Sequence, residues 1–428
     1  MADKSFTARR GAKSIIKALF LALFLLLLWA DQSTPLRLSN ARSLGLGGAY
    51  TAVARDNEAP LWNPANLSFK DNRGFSLTLF SIGAFVENNA FSLNDYNQYN
   101  GKFWEDSDKD KILSLIPSTG LNLNAQAEAS ALGLSIGSLS LVTWASGVSD
   151  LSFPKDPFEL LLIGNQMEDT VSLKGSSGEA YAYGVLSLSY GKSLYRKGEK
   201  EFGIGVNLKY LQGIIYQKVI KASGEVRINE NQIEGESDLI LHSATGGKGY
   251  ALDLGIATKL SRKWSLSLFL SNPVSRIKWN KETEERGYEF QIDSLNLSNS
   301  EDDSVVLSED YENDIEPFIT HLPLIAKAGF AYKAKKILVA FDWEQGFKNG
   351  PGVSITPKLS LGTELKIISF LPLRTGVSFG GKEGFSLSGG FGLNFGAVFL
   401  DIGIANKKAL MPDNSKGLGI SLGCGLRF

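Results

Sequence analysis

The sequence is poor in the residues that carry out chemistry. Among 428 residues there are one cysteine, three methionines and two histidines. A single Cys, Cys424, excludes an internal disulfide and any cysteine metal cluster. It reads instead as a small apolar filler. His242 and His321 fall in or beside connections rather than on regular elements, and no spacing around them singles out a Ser-His-acid arrangement. Neither H-E-x-x-H, C-x-x-C nor G-x-x-x-x-G-K-[ST] occurs. No catalytic residue, cofactor or metal is therefore assigned, and a non-enzyme is expected. Charge of one sign is also lacking: 44 basic residues stand against 45 acidic, net −1, which gives no case for nucleic acid. Beyond residue 30 there is no run of about 18 apolar residues, so no inner-membrane helix is expected.

The one long apolar run lies at the start. Lys4, Arg9, Arg10, Lys13 and Lys17 precede an unbroken apolar stretch from Ala18 to Ala30, followed by Asp31-Gln32-Ser33-Thr34. A basic head and an apolar stretch too short to span match a secretory signal, with cleavage after Ala30. No Cys follows it, so a lipoprotein anchor is not available. The Arg9-Arg10 pair lacks the apolar residues of a twin-arginine leader, which favours general secretion.

What the chain has in abundance is glycine, at 45 residues, and alternation. From Gly74 the apolar period is two, and about fourteen strands follow: 74–86, 121–136, 138–150, 179–195, 201–220, 248–260, 263–279, 319–334, 336–347, 355–368, 371–382, 384–394, 396–406 and 416–428. The connections run long, short, long, short: 87–120 then 137, 151–178 then 196–200, 221–247 then 261–262, 280–318 then 335. An even strand count with short turns at one end and long loops at the other is the rhythm of a transmembrane barrel, with both termini at the short-turn, periplasmic end.

In such a barrel the apolar set of each strand faces lipid: Ile204, Val206, Leu208 and Tyr210, for example, or Val398, Leu400, Ile402 and Ile404. The inward set carries Lys209, Asp253, Asp342, Glu344, Glu364, Lys366, Arg374, Asp401 and Arg427. Two readings stand side by side for these charges. Either they form a paired network that fixes the register of the interior, or Lys366 and Arg374 offer a cation to a ligand carboxylate. Inward Gly203, Gly205, Gly255, Gly362, Gly376, Gly390 and Gly403 leave space for a plug or a ligand.

Two stretches carry a family resemblance. The last, K-G-L-G-I-S-L-G-C-G-L-R-F, places Leu418, Ile420, Leu422, Cys424, Leu426 and Phe428 on one face and ends on an aromatic. It resembles the assembly signal of outer-membrane barrels. The second follows the leader: A-R-S-L-G-L-G-G-A-Y-T-A-V-A-R-D and then W-N-P-A-N-L, a non-alternating piece that cannot be a wall strand because Pro64 removes a ladder donor. This motif resembles the N-terminal hatch of the FadL-like long-chain fatty-acid transporter superfamily, including its PorV-like and TraF-like relatives. Asn66 stands where the pattern usually has Gly.

The resemblance implies an all-β outer-membrane barrel of about fourteen antiparallel strands (residues 73–428), plugged by an N-terminal hatch (31–72) after a signal peptide (1–30). It also implies transport of hydrophobic, long-chain fatty-acid-like molecules with no chemical step. The ligand-binding candidates are then Lys366 and Arg374 in the lumen and Trp62, Asn63 and Pro64 on the hatch. To these it adds Ile112 and Leu115 on a short helical piece within 105–117, a partner to the apolar piece at 158–163. In the transporters, outer loops form an apolar entry groove; the competing reading is loops packed on their own barrel. The partners expected are outer-membrane lipid, a hydrophobic ligand and, through Phe428, the barrel-assembly machinery. The alternative function is a PorV-like docking or shuttle subunit of a secretion or envelope machine. A continuous apolar cavity from the loops to Trp62-Asn63 favours transport, and a lumen filled by side chains favours docking.

Overall fold

A computed structural model describes residues 40–72, 74–164, 170–229, 232–295, 305–382 and 384–428. The leader expected at 1–30 and the first residues expected in the hatch, through 39, lie outside these, as does the turn residue at 383. From Phe75 onward the chain forms one closed antiparallel ring of fourteen wall strands: β1 Phe75–Asn88, β2 Leu121–Ile136, β3 Leu139–Phe153, β4 Ser177–Lys197, β5 Lys200–Ile228, β6 Ile233–Lys259, β7 Trp264–Leu295, β8 Ile325–Lys333, β9 Ile337–Gly346, β10 Lys358–Ile368, β11 Leu371–Gly380, β12 Ser386–Phe395, β13 Val398–Lys407 and β14 Gly417–Arg427. Each pairs with its sequence neighbours, and β14 closes on β1 through Leu77↔Leu426, Ile82↔Leu422 and Val86↔Leu418. Closure leaves no unpaired edge along the wall, as a sheet in hydrocarbon requires.

Alternation sets the two faces. Along β5, Ile204, Leu208 and Tyr210 are exposed on the outside, while Asn207, Lys209 and Leu211 are buried within. Along β14, Leu418 and Ile420 face out, whereas Gly419 and Ser421 face in. Trp264 stacks with Phe330 and Tyr332 on the outer wall, ring centroids 5.0 and 4.4 Å away, an aromatic cluster suited to a membrane interface.

One expectation about the connections needs correction. The described residues of 221–247 and 280–318 are not open loops but largely paired strand. Strands β5, β6 and β7 run 29, 27 and 32 residues, far beyond the roughly 9–11 that cross a bilayer. Their upper halves pair with each other from Lys218↔His242 to Ile228↔Ile233, and a short strand, Val306–Asp314, adds to the far edge of β7. The extensions are mixed in polarity and carry only short apolar stripes, such as Tyr288, Phe290 and Ile292. Backbone pairing between adjacent chain segments builds them instead.

Residues 40–72 fill the short-turn half of the ring. Helix α1, Ala41–Gly45, is capped by Asn40, whose Oδ1 accepts the Ser43 N–H at 2.7 Å. A one-turn helix at Ala59–Trp62 and a 3-10 turn at Pro64–Ser68 complete the plug, with Asn63 accepting the Ala65 N–H at 2.9 Å. Asn66, the departure from the usual Gly, stitches the plug to itself and to the wall. Its amide donates to Thr51 O at 2.9 Å, and its carbonyl accepts from Ser267 Oγ at 3.1 Å.

The wall meets this plug with glycine. A Cβ on Gly205 would lie 2.2 Å from Ala65 N, on Gly376 2.3 Å from Gly47 N, on Gly403 2.4 Å from Ala41 O, and on Gly362 2.4 Å from Leu46 O. Gly255 faces Asn63 Oδ1 and Gly203 faces Ser68 Oγ in the same way, at 2.0 and 1.9 Å. The inward glycines therefore form a cradle for the hatch backbone. A side chain at any of them would occupy the space the plug now holds.

Candidate functional site

Glu364, Asp342 and Arg427 bond the hatch directly, and the other inward charges pair with wall residues around it. Glu364 accepts from Arg42 of the hatch at 2.8 and 3.0 Å and from Arg374 at 2.9 Å, and Arg374 also reaches Asp401 at 2.7 Å. Lys366 lies 3.4 Å from the same Glu364. Asp342 accepts the N–H groups of Tyr50 and Thr51 at 2.8 and 2.7 Å. Glu344 pairs with Lys327, whose ammonium sits 4.6 Å over the Trp62 ring. Lys209 pairs with Asp253 at 2.6 Å, and Asn207 beside them donates to Pro60 O at 3.4 Å. Arg427 reaches Glu58 at 2.8 Å, and Glu58 also takes the Tyr50 hydroxyl at 2.6 Å and the Asn40 amide at 3.0 Å. Burial alone would raise the Glu58 carboxyl, but Arg427, Arg42 and these donors hold it below the ordinary range. Every one of the nine inward charges named from sequence thus has a partner.

The hatch residues singled out by motif are anchors as well. Trp62 is buried and meets Tyr50 edge-on, centroids 5.5 Å apart. The Asn63 amide bridges Ile256 O at 3.1 Å and Leu268 O at 3.0 Å, which fixes the hatch to two wall strands, and Pro64 opens the 3-10 turn behind it. Above the hatch an aromatic cluster packs into the lumen. Tyr216 lies 5.5 Å from Trp279 and 5.2 Å from Phe318 and stacks on Tyr181 at 6.5 Å, in one buried cluster that reaches down to Tyr50 and Trp62.

Space opens at the two ends instead. At the short-turn end Lys366 borders two polar cavities of about 210 and 190 Å³, the first lined by Arg42, Arg55, Asp71, Lys259, Lys333 and Lys336, the second by Arg374 and Arg427. Asp71, on the hatch, has its carboxyl pulled down to about 2: burial pushes it up, but Arg55 at 3.0 Å and Lys259 outweigh that.

At the long-loop end lies an apolar groove of about 570 Å³. Two capped helices build it. In α2, Leu93–Tyr99, Ser92 and Asp95 form a capping box; in α3, Asp106–Leu115, Glu105 and Asp108 do the same. Trp104, between them, donates its indole N–H to Tyr99 O at 2.9 Å. Leu93, Tyr96, Tyr99, Trp104 and Ile112 line the groove, and its lower end is formed by Val86 of β1 and Leu418 of β14. Of the two residues expected here, Ile112 is a buried lining residue. Leu115 is half-buried on the same helix and is not part of the lining. The third helix, Asp156–Ile163, packs Phe158 against Phe153 at 6.4 Å and covers a separate small core.

The candidates therefore fall into three places: Ile112 at the outer groove, Trp62, Asn63 and Pro64 in the hatch, and Lys366 and Arg374 at the inner mouth. The residues missed from sequence are Leu93, Tyr96, Tyr99 and Trp104. Their signal was present, a capping-box pair Ser92/Asp95 ahead of aromatics spaced i, i+3. The lumenal aromatics carried none, because they lie on strands far apart in the chain. The two histidines make local bonds: His242 Nε2 with Glu285 at 2.8 Å, and His321 Nδ1 with the backbone carbonyl of Ser275 at 2.6 Å.

A model of a family of unknown function (DUF5723) matches residues 64–403. Among solved structures, the chain is similar to the toluene transporter TodX of Pseudomonas putida, at 14% identity over 93% of this chain and 100% of that one, TM-score 0.50. It is likewise similar to the monoaromatic hydrocarbon channel CymD, at 12% identity over 92% and 98%, TM-score 0.50. A FadL homologue of Pseudomonas aeruginosa aligns at 13% identity over 92% and 100%, TM-score 0.49. No curated protein matches. At these identities the likeness to TodX and CymD is one of fold alone, a closed antiparallel barrel.

Proposed function

The chain belongs to the family of unknown function DUF5723, and from that premise we propose that it is an outer-membrane barrel that admits hydrophobic small molecules of the long-chain fatty-acid type. The observation that carries this reading is the apolar groove held by Ile112 and its neighbours at the long-loop end, the end that faces outward when both termini are periplasmic. A concave, aromatic-lined site of this size suits capture of an apolar ligand by burial alone. The fold neighbours TodX and CymD are a toluene transporter and a monoaromatic hydrocarbon channel, so aromatic hydrocarbons are the competing ligand class.

No chemical step is required. Capture at the groove, passage past the Tyr216–Trp279 cluster and release at the inner mouth demand movement of the aromatic cluster and of the hatch, because both lie in the lumen in this state. Lys366 is the residue placed to meet a carboxylate at the inner mouth: its side chain is nearly half exposed, while Arg374 is enclosed between Glu364 and Asp401. The test is saturable binding and vesicle uptake of oleate and of toluene by the refolded barrel. Tyr96→Arg is expected to abolish binding and Lys366→Ala to slow release. If neither ligand binds to the folded wild type, transport is refuted. The aromatic packing in the lumen favours the second reading in that event, a barrel that docks a secretion or envelope component.

A further inference from the structure

The inner mouth carries more positive charge than its carboxylates match. The cavity of about 210 Å³ lies between hatch and wall: Val53, Arg55 and Asp71 close it on one side, and residues of β6, β8 and β10 close it on the other. Eight cationic side chains line it against two carboxylates, Asp71 and Glu364. Two further acids reach the lining from outside, Glu199 to Arg262 at 2.7 Å and Glu201 to Lys259 at 3.5 Å. Crediting both still leaves four positive charges in excess, and Glu201 is itself shared with Arg196.

The excess sits on lysines of the wall. Lys333, Lys335 and Lys336, around the β8–β9 turn, have no carboxylate at ion-pair distance among the described residues. Lys366 has only Glu364, which Arg42 and Arg374 already occupy at 2.8 and 2.9 Å. On the hatch side, Arg55 spends Nε on Asp71 and Nη1 on the carbonyls of Ala52, Val53 and Ala54, which leaves Nη2 without a hydrogen-bond partner. Like charges gathered in a cleft repel one another and focus a positive potential, which a bound anion relieves. A single negative charge would offset only a fraction of it, and the cavity has room for a tetrahedral oxyanion.

We infer that this cavity is a binding site for a multivalent oxyanion of the phosphate class, held by Lys333, Lys336 and Lys366 of the wall and Arg55 of the hatch, so that the bound anion ties the plug to the ring. Lysine ammoniums hold phosphate as point charges, and the guanidinium adds a directed donor. The site does not depend on the cargo of the barrel: phosphate binding without uptake of oleate or toluene leaves it standing, and uptake without phosphate binding removes it while leaving transport.

The experiment uses the full chain refolded in neutral detergent. Calorimetric titration with inorganic phosphate, at an ionic strength fixed with chloride, should show saturable binding, with acetate far weaker. Lys333→Ala and Lys366→Ala should each weaken phosphate binding about tenfold. Lys200→Ala, at an exposed lysine of the β4–β5 turn outside the lining, should not change it. Each variant is checked for the heat-sensitive gel mobility of a folded barrel, and Lys336→Ala serves if one of the first two does not fold. Saturating phosphate should also raise hydrogen-exchange protection of residues 40–72. Heats no larger than those of chloride would overturn the inference, as would acetate binding as tightly as phosphate. Equal losses in Lys200→Ala and Lys366→Ala would do the same, the result for diffuse attraction of anions to a basic end. Binding that adds no protection would overturn the tie to the hatch. Repeating the titration in nanodiscs of phosphatidylcholine and of phosphatidylglycerol separates two sources of the same chemistry: equal binding assigns the site to a free anion, and loss only in phosphatidylglycerol assigns it to a lipid headgroup.

Discussion

The glycine cradle makes a sharp prediction at Gly205. In the interior of a strand, replacing Gly by Ala ordinarily stabilises by about 0.5–1 kcal/mol, because the unfolded backbone loses freedom. Here the added methyl would lie 2.2 Å from Ala65 N and Pro64 C, more than 1 Å inside the 3.4 Å of an ordinary contact. Both obstructing atoms belong to the hatch backbone, so no rotamer change relieves them. Overpacking of this kind costs about 1–3 kcal/mol, and the wall is tied by its ladder on both sides of Gly205. The hatch is the part that yields.

Gly184, on β4 with nothing nearer than 3.9 Å to its added Cβ, supplies the control. Relative to Gly184→Ala, Gly205→Ala should weaken hatch seating by about 2 kcal/mol, roughly a 30-fold rise in the open population. Trypsin cleavage after Arg55, measured on folded barrel under conditions where reclosing outpaces cutting, reads that population directly. The reasoning is refuted if the two variants are cut at the same rate while both retain folded mobility.

Glu364→Ala leaves Arg42 and Arg374 facing each other without their shared carboxylate; a loss of about 3–5 kcal/mol is expected from uncompensated buried charge, read as a lower urea midpoint, with a smaller loss for Lys366→Ala. The Asp71 carboxyl, held at about 2 by Arg55 and Lys259 against a usual value near 3.8, contributes stability that is complete above the usual value and lost as pH falls towards the depressed one. Hydrogen-exchange protection of the hatch, corrected for the intrinsic pH dependence of amide exchange, should therefore be steady from neutrality to about pH 4 and fall below it, and the gap between wild type and Asp71→Asn should close over the same acid range. Phe428 donates its N–H to Phe75 O at 3.0 Å, and its ring lies 5.8 Å from that of Phe75. Deleting it should reduce the yield of assembled barrel in the membrane while leaving ligand affinity of the assembled fraction unchanged.

The sequence by itself determined the wall. A side-chain period of two is a local property, so the fourteen strands, their inward and outward sets and the even count could be read residue by residue, and the closing strand could be placed against the first. The hatch was legible for a different reason: Pro64 removes a ladder donor, the stretch 47–54 does not alternate, and the motif resembled a known plug. The structure decided what these inward residues are for. Gly205 and Gly376 gave no sign of whether they faced a ligand or a backbone, since a missing side chain carries no record of what fills its place. Arg374 and Glu364 were each a charge in need of a partner, and only the ring brought Arg42, more than 300 positions away in the chain, to the far side of the Glu364 carboxylate. The groove follows the same rule: Val86 and Leu418 read as two lipid-facing residues at opposite ends of the barrel sequence. Closure of the seam makes them neighbours in the lining of one groove.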